Sequence, residues 1–327
     1  MSANPSPTQA TTVALGSAGP QVTALGIGTW SWGDKLYWNY GNRYGAEQVQ
    51  GAFEAAVEAG ITFFDTAEVY GPGTSESLLG EFARQRNADI AIATKYAPYP
   101  WRVSRQAVYD AVTNSLERLQ RDRIALYQVH WPFSFFMRQE TLLNALADEV
   151  QRGRIAAVGV SNYSAERMAR AHQILAQRGV PLAVNQVSYS LLRRQIERNG
   201  IRDRARKLGI TLLAYSPLAQ GLLAGKYDPA DPQPLRDARR FDRRFRREGL
   251  QAIAPALSQL RELGQQYGKT PAQVALNWLM AQGGVVPIPG AKNAEQARQN
   301  AGALGWQLAD ADWQQLEEAT RAWQQPR

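Results

Sequence analysis

The sequence predicts a single α/β domain folded as a (β/α)8 TIM barrel. Three observations favour this fold. Short β-rich apolar runs alternate with amphipathic helical patterns, there are eight such runs, and barrels of about 327 residues often form one domain. Because parallel strands are joined by right-handed crossovers, the sheet can close on itself, and functional residues are expected at the C-terminal rim of the strands.

The predicted elements follow one another in strict alternation. The first strand is expected within ALGIGTWSWG (24–33), and the first helix within AEQVQGAFEAAVEAG, whose Gly60 is a natural helix stop. Ser104 and Ser164 stand where N-caps belong, and Thr270 precedes Pro271 as a cap before the first helical residue. The other strands are predicted at 61–65, 90–96, 124–130, 156–162, 182–189, 211–217 and 285–290. The other helices are predicted at 75–85, 104–120, 139–152, 164–178, 193–208 and 271–282.

Two segments stand apart from the barrel pattern. Residues 1–20 contain no Arg or Lys, which argues against an organelle transit peptide, and we expect a flexible N-terminal tail before a domain at 21–327. A basic loop at about 226–249 contains LRDARRFDRRFRREG and reads as a solvated segment or a lid. The competing architecture is a doubly wound open sheet, which would normally show GxGxxG where this chain has GIGTWS.

Composition excludes several classes of protein. The chain has no Cys and two His, so disulfides, a cysteine nucleophile and a zinc hydrolase are not expected, and no metal is assigned. Without a long apolar run or a secretory leader, a cytoplasmic protein that binds no membrane is expected, as a monomer or weak homo-oligomer. The net charge of +8 leaves a nucleic-acid reading open, but no motif for nucleic-acid binding accompanies it.

Polar residues end three consecutive predicted strands: Asp65, Lys95 and His130. Tyr70 lies in the loop just beyond Asp65. A single polar residue at a strand end is more often structural, but all of them at one rim indicate acid–base chemistry. Lys95 is expected to lower the pKa of Tyr70, with Asp65 keeping the lysine charged, and His130 to hydrogen-bond a reacting oxygen or relay a proton.

Seven segments together resemble the aldo-keto reductase family across about 25–308. They are FDTAEVYG, IATKY, YQVHWP, GVSNYS, NQVSYS, AYSPLAQGLLAGKY and IPGAKNAEQARQN. GTWSWGD and IPGAKNAEQA look most like the cyanobacterial and plant-plastid branch, which is related to pyridoxal reductases and potassium-channel β-subunits. The resemblance implies that Asp65, Tyr70, Lys95 and His130 form a catalytic tetrad in which Tyr70 protonates the carbonyl oxygen.

The resemblance also implies an NADPH/NADP+ site. Ser161, Asn162 and Gln186 would hydrogen-bond the nicotinamide carboxamide, and Tyr215 would stack on its ring. Lys292, at a turn that opens a helix, would meet the adenosine 2′-phosphate, which favours NADPH over NADH. An arginine between Arg239 and Arg244, with Arg239 preferred, would clamp the pyrophosphate from a loop that folds over the cofactor as a lid. The other expected contacts are Gly28, Thr29, Trp30, Asp65, Ser216, Pro217, Leu218, Gln220, Gly221, Lys226, Ile288, Gly290, Ala291, Gln296, Gln299 and Asn300.

An aromatic wall is expected around the small-molecule carbonyl substrate, which suits aldehydes with apolar or aromatic bodies. It comprises Trp30, Trp32, Tyr70, Tyr96, His130 and Trp131, with Trp101 and Tyr163 nearby in rim loops. The predicted reaction is NADPH-dependent reduction of aldehydes, with ketones as a second class. Two alternatives stay open: NADP-dependent oxidation of a sugar or alcohol, and a slow-turnover redox-sensing protein like the channel β-subunits.

Overall fold

The computed structural model describes residues 11–133, 135–227, 235 and 237–324, and within them eight parallel strands form one sheet in sequential order. The sheet closes on itself: Gly26 N donates to Pro287 O at 3.0 Å, Gly28 N donates to Pro289 O at 2.9 Å, and Gly28 bridges Gly290 in parallel. A Cβ on Gly28 would come within 3.0 Å of Ile288 O, so this closure favours glycine. The predicted (β/α)8 barrel is confirmed.

The described part of the chain begins with a two-stranded hairpin and then alternates strands and helices. The strands are β1 (Thr12–Ala14), β2 (Gln21–Thr23), β3 (Ile27–Gly28), β4 (Phe63–Asp65), β5 (Ala91–Tyr96), β6 (Leu126–Val129), β7 (Val158–Ser161), β8 (Leu182–Ser188), β9 (Thr211–Tyr215) and β10 (Val285–Pro287). The helices are α1 (Ala46–Glu58), α2 (Thr74–Gln85), α3 (Arg105–Leu119), α4 (Gln139–Gln151), α5 (Ala165–Ala176), α6 (Ile201–Lys207), α7 (Arg247–Tyr267), α8 (Pro271–Met280), α9 (Ala294–Ala301) and α10 (Asp310–Ala319).

Three helices begin at the capping residues that the sequence predicted. The Ser104 and Ser164 side chains accept the N–H of the third residue of α3 and α5, and Thr270 forms a capping box with Gln273 ahead of α8. Asn293 caps α9 through Gln296 N at 3.0 Å. Among the described residues, no helix combines the length and the apolar character that crossing a membrane requires.

The predicted N-terminal tail is wrong from residue 12 onward, while residues 1–10 lie outside the described residues. β1 pairs antiparallel with β2, and the hairpin covers the N-terminal mouth of the barrel. Leu15 and Val22 are buried with interior strand residues such as Phe63 and Leu213, and Gly16 N donates to Thr211 Oγ1 at 2.8 Å. Burial of these apolar side chains stabilises the hairpin, which in turn shields the apolar interior of the barrel from water.

Two other boundaries differ from the predictions. The helix expected at 193–208 is interrupted by Gly200, whose φ of 82° is left-handed, and only α6 is regular. The basic loop ends earlier than expected, because its part after residue 246 is the first turn of α7. Residues 238–241 and 243–245 form short 3-10 turns, capped by Asp237 and Asp242, whereas 228–234 and 236 lie outside the described residues.

Candidate active site

Neighbouring parallel strands bring the four predicted catalytic side chains to one rim. Asp65 ends β4, Lys95 lies in β5, His130 follows β6, and Tyr70 lies in the turn after β4. Lys95 Nζ donates to Asp65 Oδ1 at 2.5 Å and to Thr66 O at 2.7 Å, and it lies 3.3 Å from the Tyr70 hydroxyl. The result is a buried ion pair touching a phenol.

The pKa of Tyr70 departs from the expectation. Burial raises the pKa of Tyr70 and outweighs the lowering effect of the Lys95 ammonium. Burial also opposes the charge on Lys95, but Asp65 and Tyr70 together raise its pKa above the ordinary value. The predicted lowering for Tyr70 was wrong because the sequence shows the neighbouring lysine but not the depth of burial. Tyr70 is therefore a protonated phenol at neutral pH, and Lys95 is charged.

His130 is neutral at physiological pH. Burial, with the nearby Lys95 charge, lowers the pKa of His130 to about 2. Its ring lies edge-on to Tyr70, with 5.8 Å between the ring centroids. A neutral imidazole carries one N–H donor, which suits a hydrogen bond to an oxygen near Tyr70 and does not suit relay through an imidazolium.

A cavity of about 650 Å³ opens directly above these residues. Tyr70, His130, Trp30 and Trp131 line it, together with every expected cofactor contact except one. Those lining residues are Gly28, Thr29, Asp65, Ser161, Asn162, Gln186, Tyr215, Ser216, Pro217, Leu218, Gln220, Gly221, Lys226, Arg239, Ile288, Gly290, Lys292, Gln296, Gln299 and Asn300.

Ala291, Trp32 and Tyr96 do not line the cavity, and these three assignments were wrong. Ala291 is buried, and its carbonyl accepts the Trp32 indole N–H at 2.8 Å, so both residues belong to the packed core. Side chains alternate along β5, and because Lys95 points into the barrel, Tyr96 points outward, under the Arg102 guanidinium. Of the nearby aromatics, Trp101 is exposed and Tyr163 is buried away from the cavity.

Comparisons with known proteins identify the family of this chain. The model of the aldo/keto reductase family matches residues 24–321. The chain belongs to the aldo/keto reductase family. It is 39% identical over 316 residues to chloroplastic pyridoxal reductase of Arabidopsis thaliana, covering 92% of this chain and 84% of that protein. This similarity is consistent with the predicted plant-plastid branch.

Solved structures of this aldo/keto reductase family show the same fold. Glycerol dehydrogenase from Gluconobacter oxydans superposes with a TM-score of 0.83 at 27% identity, covering 97% of both chains. An aldo/keto reductase from Klebsiella pneumoniae, in complex with NADP and acetate, gives a TM-score of 0.74 at 28% identity, covering 96% of this chain and 97% of that one.

One wall of the cavity is formed by amide and hydroxyl groups that hydrogen-bond one another in series. The Tyr215 hydroxyl donates to Asn162 Oδ1 at 3.0 Å, while Asn162 Nδ2 donates to Ser161 Oγ at 3.0 Å and to His130 O at 3.3 Å. Asn162 has a left-handed φ of 62°, a conformation that asparagine tolerates well. The Asn162 amide, the Ser161 hydroxyl and the Gln186 side chain therefore line one part of the cavity.

The turn after β9 adopts an uncommon backbone conformation. Ser216, Ala219 and Gln220 have φ values of 51°, 48° and 59°, and non-glycine residues rarely adopt this left-handed region unless the surroundings hold them. Arg239 holds the turn, because its Nη1 donates to Gln220 O at 2.9 Å and to the Tyr227 hydroxyl at 3.0 Å. The basic segment thus contacts the turn through Arg239, the arginine that the sequence favoured.

Trp38, which sequence reasoning missed, lies between two of the basic side chains of the cavity, Lys292 and Arg239. Lys292 Nζ lies 4.2 Å from the centroid of its ring, and Arg239 Cζ lies 5.5 Å from it. Burial and the Arg239 charge lower the pKa of Lys292 to about 8. Within the described part of the chain, no carboxylate lies within ion-pair distance of Lys292. The only sequence signal for Trp38 was the aromatic-rich stretch LYWNYGNRY after β3.

An ion pair that the sequence did not reveal, between Arg102 and Glu68, joins the loops after β4 and β5. Arg102 contacts both oxygens of Glu68, with Nη1–Oε1 at 2.5 Å and Nη2–Oε2 at 2.9 Å, and Ala97 N also donates to Oε1 at 2.6 Å. Both side chains are largely buried. Because Glu68 lies two residues before Tyr70, this pair fixes the loop that carries the phenol.

Glu68→Ala is expected to lower the free energy of unfolding by about 3 kcal/mol, because it leaves the largely buried Arg102 guanidinium without its carboxylate partner. The control is Glu58→Ala, which breaks a largely exposed pair with Arg86 and should cost about 1 kcal/mol or less. Urea unfolding of both variants checks this. An equal loss of unfolding free energy in the two variants would show that the buried ion pair stabilises the fold no more than the exposed one does.

Proposed function

We propose that this chain binds NADPH and reduces aldehyde carbonyls, with ketones as a second class, to alcohols. The observation that carries the proposal is that one cavity holds a protonated phenol beside a buried ammonium and, in another part, three basic side chains, Lys226, Arg239 and Lys292. The first group can supply a proton, and the second can hold the phosphates of a dinucleotide.

The cavity suits a phosphorylated dinucleotide in size and chemistry. Its volume of about 650 Å³ lies within the range of cofactor sites. Gln220 Oε1 is buried with no hydrogen-bond partner in the described chain, which leaves it available to a bound donor. Lys292 lies at the turn before α9, where a helix N-terminus also favours an anion. When bound, the dihydronicotinamide supplies a hydride to the carbonyl carbon.

The side chains of this protein supply the rest of the chemistry. Tyr70 donates its proton to the carbonyl oxygen as negative charge builds there, and the raised pKa keeps that proton in place beforehand. Lys95 stabilises the tyrosinate that results, and Asp65 keeps Lys95 charged and aimed. Neutral His130 donates one N–H to the same oxygen.

The substrate side of the cavity favours uncharged aromatic or apolar aldehydes. Trp30, Val69 and Trp131 line it around Tyr70, and the Trp30 and Tyr70 ring centroids are 6.3 Å apart. The basic residues Arg239 and Lys292 flank Trp38, whose ring lies edge-on to Trp30 with 5.4 Å between the centroids. The similarity to pyridoxal reductase makes pyridoxal a natural substrate to test.

The test is NADPH consumption by the purified chain with 4-nitrobenzaldehyde, pyridoxal and methylglyoxal. We expect turnover with the aromatic aldehydes, and consumption no faster than the background rate with all three contradicts the proposal. The same chain with NADP+ and glycerol or an aromatic alcohol tests the oxidative alternative, since one of the similar structures is a glycerol dehydrogenase. Tight NADPH binding without turnover would favour the redox-sensing alternative.

Lys292→Ala is expected to weaken NADPH binding by roughly 10- to 100-fold and to leave NADH binding nearly unchanged, because only NADPH carries the 2′-phosphate. The matched control is Lys269→Ala, which removes a lysine that also lies over a tryptophan ring but outside the cavity. Titrations of tryptophan fluorescence give the affinities. An unchanged NADPH-to-NADH ratio in the Lys292 variant would remove the 2′-phosphate assignment.

NADPH binding should weaken as the pH rises through about 8, the pKa of Lys292. Below that pH the lysine is already charged, whereas above it the free protein must take up a proton to bind the phosphate. The dissociation constant should therefore rise by up to about tenfold for each further pH unit. Fluorescence titrations across this range check it, and NADH should show little of this dependence. Parallel curves for the two cofactors contradict the assignment.

A further inference from the structure

The two oxygens of the Asp65 carboxylate have different partners. Oδ1 accepts from Lys95, and Oδ2 accepts from two side-chain amides, Gln128 Nε2 at 3.0 Å and Gln186 Nε2 at 2.8 Å. Gln128 is fully buried, and Gln186 and Asp65 are each 2% exposed. The proposed chemistry uses the Lys95 side of this carboxylate and gives no role to Gln128.

The carboxylate fixes the orientation of both amides. An ionised carboxylate only accepts hydrogen bonds, so each glutamine must turn its nitrogen toward Oδ2. Gln128 Oε1 then accepts the second hydrogen of Gln186 Nε2, at 3.1 Å. Flipping either amide would place an oxygen against the carboxylate, which is costly in a buried network. Both hydrogens of Gln186 Nε2 are thereby committed, and Gln186 Oε1 is the atom of this amide that neither Asp65 nor Gln128 engages.

The barrel wall provides space for Gln128. In the register of the sheet, Gln128 lies opposite Lys95 on one side and Gly159 on the other. A Cβ at Gly159 would come within 2.8 Å of Gln128 Cγ, so the absence of a side chain there accommodates the glutamine. Gln186, on β8, lines the cavity where Ser161 and Asn162 also lie.

We propose that Gln128 is a positioning residue that couples the Asp65 carboxylate to the cofactor. It holds Gln186 with Oε1 free to accept the N–H2 group of the nicotinamide carboxamide. This inference rests on the proposed function, because it needs a nicotinamide in the cavity. Gln128 itself touches neither the cofactor nor the substrate, and its effect passes through Gln186.

The experiment measures the binding of two ligands by quenching of tryptophan fluorescence. One is NADP+, and the other is 3-acetylpyridine adenine dinucleotide phosphate, in which a methyl ketone replaces the carboxamide and no N–H2 is present. The unaltered chain should bind NADP+ more tightly than this analogue. Gln128→Leu should weaken NADP+ binding about tenfold and leave analogue binding nearly unchanged, so that the preference is lost.

A double-mutant cycle separates positioning from a general structural role. In a Gln186→Ala background, Gln128→Leu should cause no further change in the ratio of the two affinities, because the group through which it acts is gone. Gln128→Met, whose unbranched chain follows the same path, replaces the leucine variant if that variant does not fold. Equal weakening of both ligands, no weakening of either, or a persisting effect in the Gln186→Ala background overturns the inference alone. Failure of the unaltered chain to bind NADP+ overturns the proposed function and this inference together.

Discussion

Tyr70→Phe is expected to lower kcat for aldehyde reduction by roughly 10²- to 10⁴-fold and to leave NADPH affinity nearly unchanged. The substitution keeps the ring that packs near Trp30 and His130 and removes only the hydroxyl beside Lys95 Nζ. Steady-state kinetics with 4-nitrobenzaldehyde and fluorescence titration with NADPH measure the two effects separately.

The control for this loss is Tyr109→Phe. It removes a hydroxyl that bonds Asp148 at 2.7 Å on the outer helices, far from the cavity lining. Its kcat should stay close to that of the unaltered chain. Full turnover by Tyr70→Phe would show that another group donates the proton.

Lys95→Met should lower the free energy of unfolding by roughly 3–5 kcal/mol, besides abolishing most activity. It leaves the Asp65 carboxylate buried without its cation, and the side chains of the pair are only 0% and 3% exposed. Because the fully buried ammonium lies against both Asp65 and Tyr70, its loss affects the ion pair and the phenol together. Urea unfolding followed by circular dichroism gives the stability change.

Two further variants identify the cause of that loss. Lys207→Met removes an exposed lysine of α6 and should change stability by about 0.5 kcal/mol or less. The double variant Asp65→Asn with Lys95→Met removes both charges, so part of the lost stability should return. No recovery in the double variant would mean that the unpaired charge of Asp65 is not the cause.

The sequence was sufficient to predict the barrel and the meeting of Asp65, Tyr70, Lys95 and His130 at its rim, and the reason is geometric. Parallel strands end at the same rim, so Asp65, Lys95 and His130 had to meet once their strands were recognised. What lies in mid-strand was harder to see. Gln128 reads as one polar residue in an apolar run, and only the folded structure shows that its side chain bonds Asp65 and Gln186.

Burial depth was the second missing quantity. The spacing of Lys95 and Tyr70 indicated a charge effect on the phenol, but the larger effect of burial on its pKa depends on the whole fold. Trp32 and Tyr96 were assigned to the cavity because they are aromatic and near strand ends, yet their side chains pack in the core. Helix α7 was missed because its start lies in the Arg-rich run and Pro255 interrupts its pattern.

The most direct test of the account is a single turnover with NADPH deuterated at the transferable position of nicotinamide C4. The chain, in molar excess over this cofactor, is mixed with 4-nitrobenzaldehyde. The product is then analysed by NMR. We predict 4-nitrobenzyl alcohol with one deuterium on the carbinol carbon, formed by the unaltered chain and strongly slowed in Tyr70→Phe. Alcohol without deuterium, or no alcohol although NADPH is bound, would contradict hydride transfer to a carbonyl in this cavity.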